Sequence, residues 1–113
     1  MAHEHPEYDP AERVAQDAEL AELFDLLGRP HTTAIVRRFA CDSGPWRYSE
    51  LQETLDISPT TLSNRLTALT EAGIIERESY DEIPPRVEYS TTAKGEALGP
   101  AFEELFLWVD SYD

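Results

Sequence analysis

The chain has 113 residues, 23 of them Asp or Glu and nine Lys or Arg, which gives a formal net charge of −14 with 41% hydrophobic residues. That length is one domain, able to bury roughly 65% of the surface its unfolded form exposes, and the single cysteine, Cys41, cannot close an internal disulfide. The apolar run Leu105-Phe106-Leu107-Trp108-Val109 is far short of the roughly 20 residues that span a bilayer, and Met1-Ala2-His3-Glu4-His5 lacks the basic start of a signal peptide, so a soluble cytoplasmic protein is expected.

Residues 1–8 read as a flexible N-terminus; His3-x-His5 with Glu4 and Glu7 supplies metal-ligand residue types, but lying ahead of the first helix cap it is read as structurally irrelevant. Asp9-Pro10-Ala11-Glu12 then sets an N-cap, a proline at the first helical position and an acid three residues after the cap. Val14, Ala18, Ala21, Phe24 and Leu27 recur at spacings of three and four, predicting an amphipathic helix over 9–28 that ends at Gly28. Pro30 opens a second helix carrying Ile35, Val36 and Phe39, which stops at Asp42-Ser43-Gly44-Pro45. Ser49-Glu50-Leu51-Gln52 reads as a capping box for a short helix through Leu55.

Ser58-Pro59 is another cap followed by proline, and Leu62, Leu66 and Leu69 make one apolar stripe before Gly73 ends the helix. Two short helices across a tight turn are a helix-turn-helix signature. Ile74 to Tyr80 and Arg86 to Ser90 predict two strands joined by the proline-rich loop Asp81-Glu82-Ile83-Pro84-Pro85. Thr92 caps a last helix over 92–112, with Leu98, Phe102, Leu105, Val109 and Tyr112 at helical spacing and a kink expected at Gly99-Pro100. The fold class is therefore mainly α with a two-stranded β wing: a winged helix-turn-helix occupying residues 9–113, with a recognition helix at 58–72 and a wing at 80–86.

The same residues resemble the HxlR-type branch of the MarR-like transcriptional regulators. The resemblance runs over about residues 23–109. It rests on Leu26-Leu27-Gly28, Tyr48-Ser49-Glu50-Leu51, the stretch Ile57-Ser58-Pro59-Thr60-Thr61-Leu62-Ser63-Asn64-Arg65-Leu66, Glu71-Ala72-Gly73-Ile74-Ile75, and above all Pro84-Pro85-Arg86-Val87-Glu88-Tyr89-Ser90. It implies a homodimeric, DNA-binding regulator whose terminal helices pair across a two-fold axis, with Arg86 at the wing. A response to oxidants or other reactive species is implied by resemblance alone. The N-terminal sensor cysteine of the family's redox members has no counterpart here, which leaves Cys41, after the second helix, as the redox candidate.

The charge pattern tests the DNA reading independently. Acidity argues against phosphate binding, which is usually driven by clustered Lys and Arg. Along the chain, however, residues 1–28 carry −7, residues 29–70 carry +1 and residues 71–113 carry −8, so the helix-turn-helix is spared. Dispersed carboxylates with Lys94 as the only lysine are similar to haloarchaeal-type proteins that work in molar salt, where screening acts within about 3 Å at about 1 M.

At about 100° per residue, Leu66 and Leu69 fall within about 40° of Leu62, whereas Thr60, Ser63, Asn64 and Thr67 lie about 100–200° away. Short uncharged hydrogen-bonding side chains suit base edges in a major groove, with Asn64 to adenine the first candidate. The DNA-facing set is Arg47, Ser49, Ser58, Thr60, Thr61, Ser63, Asn64, Arg65, Thr67 and Arg86. Within it Arg47 and Arg65 go to phosphates and Arg86 to a minor groove. Arg77, between Glu76 and Glu78, reads as an internal ion pair, and Arg37 and Arg38 read as supports of the fold.

Val14, Ala21, Phe24, Phe102, Leu105, Phe106, Trp108, Val109 and Tyr112 form the expected dimerisation surface, since the terminal helices offer more apolar area than a small core covers. The partners expected are double-stranded DNA, a second copy and salt cations such as K+ taken up beside Asp81, Glu82 and Glu88. No cofactor, metal or membrane is called for. The competing reading is a winged-helix protein-interaction module. An enzyme is disfavoured, because the chain has neither a Gly-rich phosphate loop nor a nucleophile paired with a base.

Overall fold

The computed structural model describes residues 9–112; the expected flexible segment 1–8, with His3 and His5, lies outside them. Helix α1, Pro10–Leu27, starts as the sequence predicts, with the Ala11 amide donating to the Asp9 carboxylate at 3.0 Å. Only its last turns meet the rest of the molecule: Leu27 is buried and Leu23 and Leu26 are half-buried.

Helix α2 is Thr32–Cys41, two residues shorter at its start than expected. Pro30 is a turn residue, not the first residue of a helix. The Thr32 amide donates to the Arg29 carbonyl at 3.1 Å and His31 sits at φ 70, ψ −9. That is a type II turn with proline in its second position and the left-handed residue in its third.

The wing is larger than a two-stranded hairpin. A short strand β1, Trp46–Arg47, joins β2, Ile75–Tyr80, and β3, Arg86–Thr91, in an antiparallel sheet of order β1-β3-β2. Trp46 faces Tyr89 and Arg47 faces Glu88. Two residues are too few to show alternation, so this strand leaves no sequence pattern. Local bonds hold it instead: the Trp46 indole donates to the Asp42 carbonyl at 2.8 Å and the Thr91 amide to the Ser43 carbonyl at 2.9 Å. Gly44, at φ 103, brings the chain so close that a Cβ there would lie 2.7 Å from the Tyr89 carbonyl oxygen.

Because β1 runs straight into helix α3, Tyr48–Leu55, the cap also moves. Arg47, rather than Ser49, is the N-cap, and its amide donates to the Glu50 carboxylate at 2.9 Å. Asp56, at φ 51, turns the chain into helix α4, Pro59–Glu71, where Ser58 caps as predicted. Gly73, at φ 77, ends that turn, and the Lys94 ammonium donates to the Ala72 carbonyl at 2.7 Å, placing a cation at the negative end of α4. Thr92 begins helix α5, Ala93–Tyr112, accepting from the Gly95 amide at 3.1 Å and donating to the Ile74 carbonyl at 3.0 Å. This helix runs as one element through Pro100.

One core joins these elements. Leu62, Leu66 and Leu69 of α4 are completely buried, as are Ile35 and Leu51, and around them pack Phe39, Ile57, Ile75, Tyr89 and Phe102. Among the described residues no helix is long and apolar enough to cross a membrane. Leu66→Ala is expected to cost about 3 kcal/mol by loss of buried methyl groups and creation of a cavity. Thr60→Ala, on the exposed face of the same helix, should stay within about 0.5 kcal/mol. Urea denaturation monitored by circular dichroism checks both.

Candidate nucleic-acid interface

With its leucines fixed in the core, α4 turns Thr60, Ser63, Asn64 and Thr67 to solvent. They differ in how free they are. Asn64 and Thr67 make no side-chain hydrogen bond among the described residues. The Ser63 hydroxyl lies 3.2 Å from that of Tyr48, which also donates to the Pro59 carbonyl at 2.9 Å. Tyr48 therefore ties the start of α3 to the first turn of α4, a positioning role that helical periodicity does not signal.

Ser58 and Thr61 are engaged with one another. The Ser58 hydroxyl donates to that of Thr61 at 2.9 Å and accepts from the Thr61 amide at 3.3 Å. Both belong to the cap of α4, and Thr61 is half-buried. Arg65 is held as well: its Nε donates to the Pro30 carbonyl at 2.8 Å, fastening α4 to the type II turn ahead of α2.

A groove of about 640 Å³ opens between α4, the start of α3 and the wing. Arg47, Ser49, Ser63 and Arg86, all expected from the sequence, line it together with Tyr48 and Arg77. Arg47 is exposed and forms no ion pair among the described residues. Arg86 is different. Its Nη2 lies 3.1 Å from Glu82, its Nε 3.6 Å from Glu88, and its guanidinium carbon 4.0 Å from the centre of the Tyr80 ring. The expected minor-groove cation is thus folded onto its own wing. Burial first, and then the Glu78 and Glu88 carboxylates, push the Tyr80 hydroxyl above its ordinary pKa.

Arg77 is not in the ion pair expected of it. The register sets Arg77 opposite Tyr89 and Glu78 opposite Glu88, and alternate residues of a strand point to opposite faces. Glu76 and Glu78 therefore leave by the other face, and Arg77 forms no ion pair among the described residues.

Of the expected dimerisation residues, Val14, Ala21, Phe24, Leu105, Trp108, Val109 and Tyr112 are exposed, Trp108 at 62% and Tyr112 at 75%. Phe102 is not on this surface. It is 6% exposed and part of the core, because the α5 face it occupies packs on α2. Phe106 is half-buried at the margin, with Phe102 on one side and the Arg37 guanidinium 4.3 Å from its ring. Arg38 stacks more loosely on Trp46, at 5.9 Å; both arginines brace neighbouring elements. Cys41 is an exposed free thiol at the end of α2, away from the groove. Among the described residues no group of three or more His, Cys, Asp or Glu side chains is placed to hold a metal ion.

The chain is similar in sequence and fold to known proteins. A sequence model of the HxlR-like helix-turn-helix matches residues 26–113. An uncharacterised HTH-type transcriptional regulator of Halalkalibacterium halodurans, BH0655, is 35% identical over 103 residues, covering 90% of each chain. The HTH-type transcriptional regulator YodB of Bacillus subtilis is 35% identical over 83% of each chain. Its reduced-form structure superposes with a TM-score of 0.74, covering 83% of this chain and 91% of that one. A MarR-family regulator structure from Porphyromonas gingivalis, 25% identical, gives 0.73 over 96% of this chain and all of that one.

Removing the Tyr48 hydroxyl separates the two kinds of residue in the site. Tyr48→Phe should cost about 1 kcal/mol of stability through its lost hydrogen bonds, whereas Asn64→Ala, which breaks no internal bond, should leave the urea midpoint unchanged. Parallel denaturation curves for the two variants read this out.

Proposed function

Since the chain belongs to the HxlR-like helix-turn-helix family of DNA-binding transcriptional regulators, we propose that it acts in the cytoplasm as a homodimer that reads duplex DNA with α4. The observation that carries this reading is the uncharged face that α4 presents over residues 60–67, ahead of the exposed Glu71 in its last turn. In a chain of net charge −14, the side chains pointing away from the core there are Thr60, Ser63, Asn64 and Thr67, and Asn64 is unbonded. An amide with both its donor and its acceptor free can pair with the N6 and N7 edge of adenine.

Around this reader, Arg47, Ser49 and Arg65 take backbone phosphates, with help from the amides at the starts of α3 and α4. Ser58 and Thr61 act through the cap they build. Arg86 reaches a minor groove by giving up Glu82 and Glu88. The exposed apolar residues of α1 and α5 meet those of a second copy. Two α4 helices then address half-sites about 34 Å apart.

The acidic wing sets the salt response. An ordinary basic repressor releases cations from DNA and weakens steeply as salt rises. Here Asp81, Glu82 and Glu88 come toward the phosphates, so cations such as K+ are taken up, in keeping with a salt-adapted chain.

The native protein should enrich a discrete duplex from a random-sequence pool. Asn64→Ala should then lose preference at one base pair by about 1–3 kcal/mol while keeping non-specific affinity; unchanged preference at every position removes Asn64 from readout. Binding should vary weakly, or rise, with KCl over part of the range, and a steep monotonic fall in fluorescence anisotropy refutes cation uptake. Sedimentation should show a dimer that Trp108→Glu converts to monomer.

A further inference from the structure

We propose that Arg77 is a DNA-contacting residue, holding a backbone phosphate at the junction between α4 and the wing. The inference rests on the DNA-binding reading above and adds to it a residue whose sequence neighbours, Glu76 and Glu78, point to an internal ion pair.

Three observations carry it. The pleat places Arg77 on the sheet face shared with Ile75 and Tyr89, which are buried against α4, and sends the flanking glutamates to the outer face. Arg77 is exposed and has no carboxylate partner among the described residues, although the chain holds 23 carboxylates. Finally, Arg77 borders two surfaces: the large groove that Ser63 and Arg47 also line, and a recess of about 150 Å³ lined by Thr67, Thr70 and Glu71 further along α4, with no ion pair formed to Glu71. It therefore lies beside both exposed turns of the reading helix.

The contrast with Arg86 gives the inference its content. Arg86 is neutralised by Glu82 and Glu88 before any ligand arrives, so its contact with DNA requires an exchange of partners. Arg77 and Arg47 give up no ion pair to meet a phosphate. A guanidinium forks two parallel hydrogen bonds to phosphate oxygens, and Arg77, placed between α4 and the sheet, suits a backbone that passes from a major groove at α4 to a minor groove at the wing. The contact positions the duplex and carries no base preference.

The test uses the full-length protein and the duplex that the native protein enriches from a random-sequence pool. Arg77→Gln should weaken binding about 10-fold on that duplex and about equally on a scrambled one. It should also shift the slope of log affinity against log KCl by about one unit in the positive direction, as for loss of one phosphate contact. Glu78→Gln, on the opposite face, should bind at least as well as native protein, and the urea midpoints of both variants report that the fold is intact. Equal affinity and slope for native protein and a folded Arg77→Gln overturn the inference while leaving the DNA reading in place; a loss confined to the selected duplex makes Arg77 a base reader and overturns the phosphate role. If the native protein enriches no duplex at all, both readings fall.

Discussion

Burial of the Leu62, Leu66 and Leu69 stripe is the constraint on which the rest of the molecule depends. Each of these side chains is completely inside, and withdrawing a leucine from water contributes about 1.5–3 kcal/mol, so the three together fix the rotation of α4 about its axis. Once that rotation is fixed, Thr60, Asn64 and Thr67 have nowhere to face but solvent. The proposed reading surface is thus a consequence of the core, and α4 needs no contact on its outer side to keep it presented. The bonds around it act on position along the axis instead: Ser58 sets where the helix starts, Tyr48 locks its first turn to α3, and Arg65 fastens its middle to the Pro30 carbonyl.

Features spread over many residues of one element were legible in the sequence, and those arising where two elements meet were not. The boundaries of α4, the caps at Asp9, Ser58 and Thr92, the two long strands and the uncharged face of α4 all follow from local spacing and capping chemistry. The type II turn at Arg29-Pro30-His31-Thr32 was hidden because Pro-X before an apolar run suits a helix start as well as a turn, and only the left-handed backbone of His31 decides between them. Strand β1 was hidden because its two residues find their partner more than 40 positions later, opposite Glu88 and Tyr89. Phe102 has the same spacing as the exposed residues of α5, and tertiary packing alone puts it in the core rather than on the surface.

The arginines make the point in electrostatic terms. By sequence proximity Arg77 is flanked by two glutamates and Arg86 by one at a distance of two, so both read as candidates for pairing. The sheet separates their fates. Arg86, on the same face as Glu88 and within reach of Glu82 across the loop, is paired; Arg77, on the opposite face from its immediate neighbours, is not. A period of two residues decides which cation is available to a ligand, and net charge over a window of sequence carries no information about it.

That geometry also reconciles the acidity of the chain with its family. With −7 and −8 on the segments flanking a helix-turn-helix of +1, the long-range field repels a polyanion, and at a screening length of about 3 Å in about 1 M salt that field vanishes beyond direct contact. What remains are the groups proposed to touch: the uncharged face of α4 over residues 60–67, Arg47 and Arg77 on the groove wall, and a wing arginine held by its own carboxylates. In dilute salt the same surface would have to bring Glu82 and Glu88 toward phosphate against unscreened repulsion. Under the proposed salt adaptation the acidic shell and the proposed contact surface are compatible, with salt supplying the tolerance for approach and a few local groups the selectivity.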